Sequence, residues 1–289
     1  MPENPISDSG SQTLIVEAHW YLPVSPHTGA VGAISGEEPG VANEAHDGVR
    51  GTLGTVRNAT LLLNLLSTGP AYQQLTELAD RSQMSLPTVH RLLRSLVLAG
   101  LVEQHPESSR YSLGPELVRL SEQYLARLPV LRGLSPYLIE LRNLTKATIL
   151  VALLVGHEVV YVDRVDGEDV GGLFRISHRV HPALQTAAGR VLLARAPRAQ
   201  WDAAVAYSGI DVPAREREQW AREPFLVLSP SDPHEEAEVA VPVIDEDGGA
   251  LAALAAVGSA ESFPREVLAT RLAPQLQRVA RTAMRTRSG

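Results

Sequence analysis

The chain has 289 residues, enough for two domains of ordinary size, and 44% of them are hydrophobic, enough to fill a sizeable core. It carries no cysteine, which excludes a disulfide framework, a thiolate nucleophile and a cysteine-based metal site. No run of ~18 apolar residues suggests a membrane span, and no basic region followed by an apolar core opens the chain, so a cytoplasmic protein without a secretory signal is expected.

The net charge of −7 is unevenly spread. Residues 1–52 hold seven acids against Arg50, while 25 bases face 26 acids in the remainder. Any affinity for nucleic acid must therefore come from local arginine placement, reinforced by dimerisation, because global charge does not supply it. Lys146 is the only lysine, so almost every base is Arg.

Residues 1–52 are rich in Gly, Ser, Pro and Glu, with one apolar, aromatic segment at Thr13–Val24. They read first as a disordered extension or the product of an early start codon, and second as an arm docking on a partner subunit. From Leu53 to Leu66, the residues Val56, Ala59, Leu62, Leu63 and Leu66 mark one face of a helix that Gly69-Pro70 breaks. Leu75, Leu78 and Ala79 begin a second helical face. Val89, Leu92, Leu93, Leu96 and Val97 form a third at i, i+3, i+4, i+7, i+8. Between these two helices, Ser82-Gln83-Met84-Ser85 is a short polar break. Ser85 suits an N-cap, Pro87 suits the first turn, and Gly100 suits the helix end. Leu101–Gln104 and Arg110–Leu113 then read as two strands around a polar turn, which completes a winged helix-turn-helix domain over 53–113.

The residues left over on the third helix are Thr88, His90, Arg91, Arg94 and Ser95. A short helix with Arg and hydroxyl side chains near its N-terminus suits the DNA major groove, where Arg reads guanine edges and hydroxyls hold phosphate. An ordinary helical pair with a solvated polar face has the same pattern. With Ser85 before the helix and Ser109 and Arg110 at the wing, these residues make up the expected DNA-contacting set.

The text TVHRLLRSLVLAGLVE, with RYSLGPEL closing the wing, resembles the IclR family of bacterial transcription regulators. The family often has a Lys-Ser pair before the Thr; here Leu86 and Pro87 stand there, which removes one phosphate-binding lysine. The resemblance runs over about Leu53 to Arg285. It implies a winged helix-turn-helix domain, a linker helix over 114–128, and a GAF-like effector-binding domain over 129–289. The fold class is then α+β, built around an antiparallel sheet. It also implies double-stranded operator DNA as partner, a small organic acid as effector, and a homodimer or homotetramer. By pattern alone, the helix at Glu116–Leu128, with Leu117, Leu120, Tyr124 and Leu128 on one side, reads equally as another core helix.

Further along, Ser135–Thr145 reads as a helix, and Thr148–Val155 and Glu158–Asp163 as strands joined at Gly156-His157. Leu173–Ser177 reads as another strand. Helices are expected at Thr186–Ala196, Arg198–Tyr207 and Ala214–Arg222, and Ala237–Ile244 and Ala250–Val257 make a hairpin across a Gly-containing turn. A closing helix runs Phe263–Arg287, with Leu268, Leu272, Leu276, Val279 and Ala283 inward.

Gln185-Thr186-Ala187-Ala188-Gly189 starts a helix whose small residues leave N–H groups accessible, which suits a carboxylate. An ordinary N-cap at Thr186 with close packing of Ala and Gly reads equally well. VHPALQTAAGRVLLA resembles the family's effector-domain motif, with Leu184 at its His position and Arg190 at its Lys position. In the hairpin, the position at which the family commonly places a ligand-facing Ser or Cys is Glu238, and two more ligand-facing positions map to Ala255 and Val257. Leu173 and Phe174 correspond to residues that cover the ligand. Glu238 reads as a ligand-facing carboxylate, or as a solvated residue at a strand end. Together, Leu173, Phe174, Thr186, Ala187, Ala188, Gly189, Glu238, Ala255 and Val257 form the expected effector site. The ligand expected from it is a small, hydroxylated aromatic acid that governs a catabolic operon.

An enzyme is the main alternative, and a pure protein-interaction module a third. The sequence has no G-x-S-x-G, P-loop, G-x-G-x-x-G or H-E-x-x-H. His178 and His181 lie three apart but have no acidic partner at metal-ligand spacing, and Asp232, His234, Glu235, Glu236 and Glu238 cluster in sequence as an acid–base set would, or as a solvated loop does. Neither a metal nor a cofactor is expected, and no catalytic residue is assigned.

Overall fold

The computed structural model describes residues 47–168 and 180–285. The strand expected at Leu173–Ser177, the pair Leu173 and Phe174, His178, and the extension up to residue 46 lie outside the described residues. The chain divides into two compact units, the first ending at Arg127 and the second beginning at Leu128.

In the first unit, α1 (Asp47–Thr68) is followed by α2 (Leu75–Ser82) and α3 (Leu86–Leu98). The wing consists of β1 (Val102–Gln104) and β2 (Tyr111–Leu113), and α4 (Glu116–Leu125) follows it. Helix α1 begins six residues before the expected start. Its first turns contain Gly51 and Gly54, poor helix formers that hide the start from pattern reading. Leu62 and Leu66 of α1, Leu78 and Ala79 of α2, and Val89, Leu92, Leu93 and Leu96 of α3 close a core with Val102 and Tyr111 of the wing. Val56, expected inward, is 63% exposed, because the buried stripe of α1 starts one turn later. Between α2 and α3 the chain turns through Gln83 in the left-handed region at φ 56°, and Gly100 closes α3 at φ 71°. The side-chain amide nitrogen of Gln73, fully buried, donates to the carbonyl of Leu65 at 2.9 Å. Its backbone exchanges two hydrogen bonds with Tyr111, at 2.9 and 2.8 Å. No residue of α4 is buried: Val118, Leu120 and Tyr124 are all exposed.

The second unit opens with α5 (Pro129–Thr145), then β3 (Thr148–Val155) and β4 (Glu158–Val165). After residue 180 come β5 (Val180–Pro182), a 3-10 turn over Ala183–Gln185, and the helices α6 (Ala187–Arg195), α7 (Arg198–Ser208) and α8 (Ala214–Arg222). Then follow β6 (Leu226–Leu228), β7 (Glu236–Ile244) and β8 (Ala250–Ser259). The chain closes with the short α9 (Arg265–Val267), a π turn over Leu268–Leu272, and α10 (Ala273–Arg285). All six strands pair antiparallel in the order β5-β4-β3-β8-β7-β6.

Alternation divides the sheet's side chains between two faces. Leu150, Ala152, Val159, Ala240, Ala253, Ala255 and Val257 lie in one core with α6. On the opposite face, α5 and α10 bring in Leu134, Leu138, Leu276 and Val279, all buried. Helix α5 starts six residues before the expected Ser135 because Pro129 fits a first helical turn, and Pro136 is tolerated inside the helix. The expected single closing helix is interrupted by the π turn. Pro274, just after it, has no N–H to continue the α pattern. The five apolar residues expected inward on this helix are nevertheless all buried.

Candidate functional site

In the first unit, α3 presents its polar face outward. His90, Arg91, Arg94 and Ser95 are exposed and Thr88 is half-buried, while the alternate apolar residues are sealed in the core. Among the described residues no carboxylate pairs with Arg91 or Arg94, so both guanidinium groups stand ready for an outside anion. Ser85 occupies the N-cap position with extended backbone, but its hydroxyl makes no capping bond. It pairs instead with the Thr88 hydroxyl at 2.8 Å, and Pro87 in the first turn has no N–H for it to accept. The capping role expected of Ser85 is thus corrected, and the first N–H groups of α3 are left to outside acceptors. The Ser95 hydroxyl turns back onto the Arg91 carbonyl at 3.1 Å and keeps its own lone pairs. Ser109, at φ 54°, and Arg110 end the exposed wing turn, which the His105 N–H closes on the Arg110 carbonyl at 2.8 Å.

In the second unit the structure brings together Thr186, Ala187, Ala188, Gly189, Glu238, Ala255 and Val257. Every residue of α6 from Ala187 to Ala194 is buried. The helix lies tight against the turn before it: a Cβ on Gly189 would stand 2.1 Å from the carbonyl oxygen of Ala183. Thr186 caps the helix, its hydroxyl accepting from the Gly189 N–H at 2.9 Å. Of the two sequence readings of this start, the capped and closely packed one matches the geometry. The N–H groups expected to lie open for an effector are instead paired from within. Ala187 N–H donates to Oε2 of Glu238 at 2.6 Å, and Ala188 N–H donates to Oε1 at 3.1 Å.

Glu238 is therefore no solvated strand end; it is 7% exposed. Its position in β7, opposite Val257 of β8, aims it at α6. The Tyr161 hydroxyl of β4 donates to Oε1 at 3.2 Å from across the sheet. Burial pushes the Glu238 carboxyl above the usual carboxylate range, while the two N–H donors, the Tyr161 hydroxyl and the charge of Arg190 pull the other way. Burial, and then the Glu238 charge, drive the Tyr161 phenol well above its ordinary value. Desolvation, with the neighbouring Glu238 charge, raises Glu236 to about 7, against Arg164, although Glu236 is exposed to solvent at the start of β7.

Arg190, at the motif's lysine position, is a buried residue of α6 itself. Its Nε donates to the Leu184 carbonyl at 2.8 Å, and its guanidinium lies 5.1 Å from the centre of the Trp220 ring. Burial lowers it to about 10. Tyr161 and the burial of Arg190 escaped sequence reading. Tyr161 sits on a strand of mixed apolar and charged residues and meets Glu238 only through the fold. The rest of the acidic run does not join them: Asp232, His234 and Glu235 are exposed, and Asp232 accepts from the His234 N–H at 2.9 Å. His181 lies edge-on to Tyr161, and no metal-holding cluster occurs among the described residues.

Two family models match the chain in order. One, the IclR helix-turn-helix domain, covers residues 55–106, and the other, the bacterial transcriptional regulator IclR C-terminal domain, covers 122–213. Among curated proteins, the chain is 30% identical to the HTH-type transcriptional regulator XynR of Escherichia coli over 48% of this chain and 56% of that protein. It is 35% identical to the regulator KdgR of the same organism, over 42% of this chain and 46% of that one. The chain spans about half the length of the curated relatives it matches. A crystal structure of an IclR family transcriptional regulator from Brucella abortus superimposes with a TM-score of 0.67 at 22% identity, over 86% of this chain and 96% of that one, and so shares the fold. With both domain models matched in sequence along one polypeptide, and with a helix-turn-helix unit followed by an antiparallel sheet and its helices, the chain belongs to the IclR family.

Proposed function

We propose that the protein is a DNA-binding transcriptional regulator whose second unit senses a small molecule. The observation that carries this is α3, which buries Val89, Leu92, Leu93 and Leu96 and turns Arg91, Arg94 and their polar neighbours to solvent. Helix-turn-helix proteins insert such a helix in the major groove. The domain models matched are those of regulators, which supports this reading over an enzyme. Operator DNA would place its action in the cytoplasm; no helix among the described residues is long and apolar enough to cross a membrane.

One head reads half a site, so a two-fold assembly is expected. The exposed Val118, Leu120 and Tyr124 of α4 offer a second copy an apolar face. The ligand acts by linkage: it changes DNA affinity only by preferring one arrangement of the heads. For the hydroxylated aromatic acid expected from sequence, Ala255 and Val257 supply an apolar floor for the ring, and the spare lone pair of Glu238 an acceptor for the hydroxyl. Its acid group has no such support, because the N–H groups that would hold it are paired. The effector we favour is a small hydroxylated aromatic.

The test is selection of bound fragments from a random DNA pool, followed by fluorescence anisotropy on the selected site. Saturable, salt-dependent binding of a two-fold site is expected. Binding that shows no site preference over the pool would overturn the regulator reading.

A further inference from the structure

On the reading of the second unit as a small-molecule sensor, we propose that Glu238 is the resident occupant of the anion site at the start of α6, and that it closes the sensor to carboxylate ligands. A helix start concentrates unpaired N–H groups and the positive end of the helix dipole, and an anion answers both. Here the answer comes from inside the fold. The first two N–H groups of α6 go to the two oxygens of Glu238, at 2.6 and 3.1 Å, and the third goes to Thr186 at 2.9 Å. The carboxyl arrives from 50 residues downstream in sequence, and it is held firmly. It stands within β7, paired on both sides by β6 and β8, and the Tyr161 hydroxyl fixes it from β4.

An incoming carboxylate would find the first three N–H groups of α6 already paired and would meet carboxyl oxygens that are acceptors like its own. Glu236 lies two residues earlier on the same strand and so on the same face, which adds a second acidic group on the approach. Position 238 thus decides the ligand class. A short hydroxyl side chain there would leave the N–H pair open, whereas Glu brings its own carboxyl.

The experiment is thermal unfolding of the full chain in chloride, formate, acetate or benzoate at equal ionic strength and neutral pH. The wild type is expected to unfold at the same temperature in all four. Glu238→Ala removes the resident carboxyl, so it should unfold at lower temperature in chloride and recover by roughly 2–4 °C in the carboxylate salts. Glu238→Gln, which keeps the shape, should show no such recovery. A wild type stabilised by the carboxylates as much as Glu238→Ala overturns the proposal, as does a folded Glu238→Ala that does not respond to them. If Glu238→Ala does not fold, calorimetry of the wild type decides: saturable heat with benzoate or acetate overturns the proposal, and its absence upholds it. Failure of DNA binding would overturn the regulator reading and leave these responses unchanged.

Discussion

Two helix starts in this chain receive opposite treatment. Helix α3 begins at the surface, with Ser85 and Thr88 bonded to each other, no side-chain cap, and Arg91 and Arg94 without acidic partners among the described residues. Helix α6 begins in the core, with Thr186 capping it, Gly189 packed against Ala183, and a glutamate filling the remaining donors. The same backbone feature is left open in one unit and plugged in the other. A helix start becomes a binding site only where the fold leaves its donors unanswered, and that depends on distant residues more than on the helix's own sequence.

The largest effect expected from breaking this contrast is at Gly189. An added methyl would collide with the Ala183 carbonyl, so Gly189→Ala should destabilise the second unit by about 3 kcal/mol, the upper range for overpacking. Chemical denaturation would measure it, and an unchanged midpoint would show that α6 is less tightly seated than described. At α3, Arg91→Ala should weaken operator binding by about 1–3 kcal/mol while the unfolding transition stays in place. Anisotropy titration checks this, and equal affinity would mean that α3 does not face DNA.

A matched pair sharpens the comparison further. Thr186→Ala loses a true cap and should cost about 1 kcal/mol of stability. Ser85→Ala loses only an exposed hydroxyl pair and should cost a few tenths at most, roughly 0.3 kcal/mol, with its effect appearing in DNA affinity. The reverse order in denaturation midpoints would contradict the capping assignments.

A comparably small effect is one of pH. Glu236 is held near 7 in the fold, against an ordinary value of 4.5. The folded state therefore binds more protons than the unfolded state between these limits, and stability contributed by this group falls as pH rises through that window. Glu236→Gln should flatten the slope and stabilise the protein above pH 7. Glu236 is exposed to solvent, which screens the effect, so the gain should be roughly 1 °C in unfolding temperature at most. A slope unchanged in Glu236→Gln would assign the titration elsewhere.

The first unit was legible in the sequence because its signals are local: three amphipathic stripes, Pro87 in a first turn, and Gly100 at a helix end. The long strands of the second unit were equally clear, since β3 and β8 carry continuous apolar text and β7 an apolar run from Val239 to Ile244. The short elements were not. β5 and β6 are three residues each, too short to show a period, and they exist through their pairing with β4 and β7. The π turn depends on one proline. The state of Glu238 was out of reach because its partners Tyr161, Ala187 and Ala188 lie 50 to 77 residues away. The helix start and the glutamate were each singled out, but nothing local shows that one fills the other.

The buried amide of Gln73 has a consequence for kinetics. By bonding the end of α1 through its side chain and Tyr111 through its backbone, it stitches the wing to the helices. The conformational entropy of the wing is thereby lost when the chain folds, and little remains to be lost on the DNA. Helix α3 and the wing should then land as one rigid reader, so that substitutions at either change how long the protein stays on its site more than how fast it arrives.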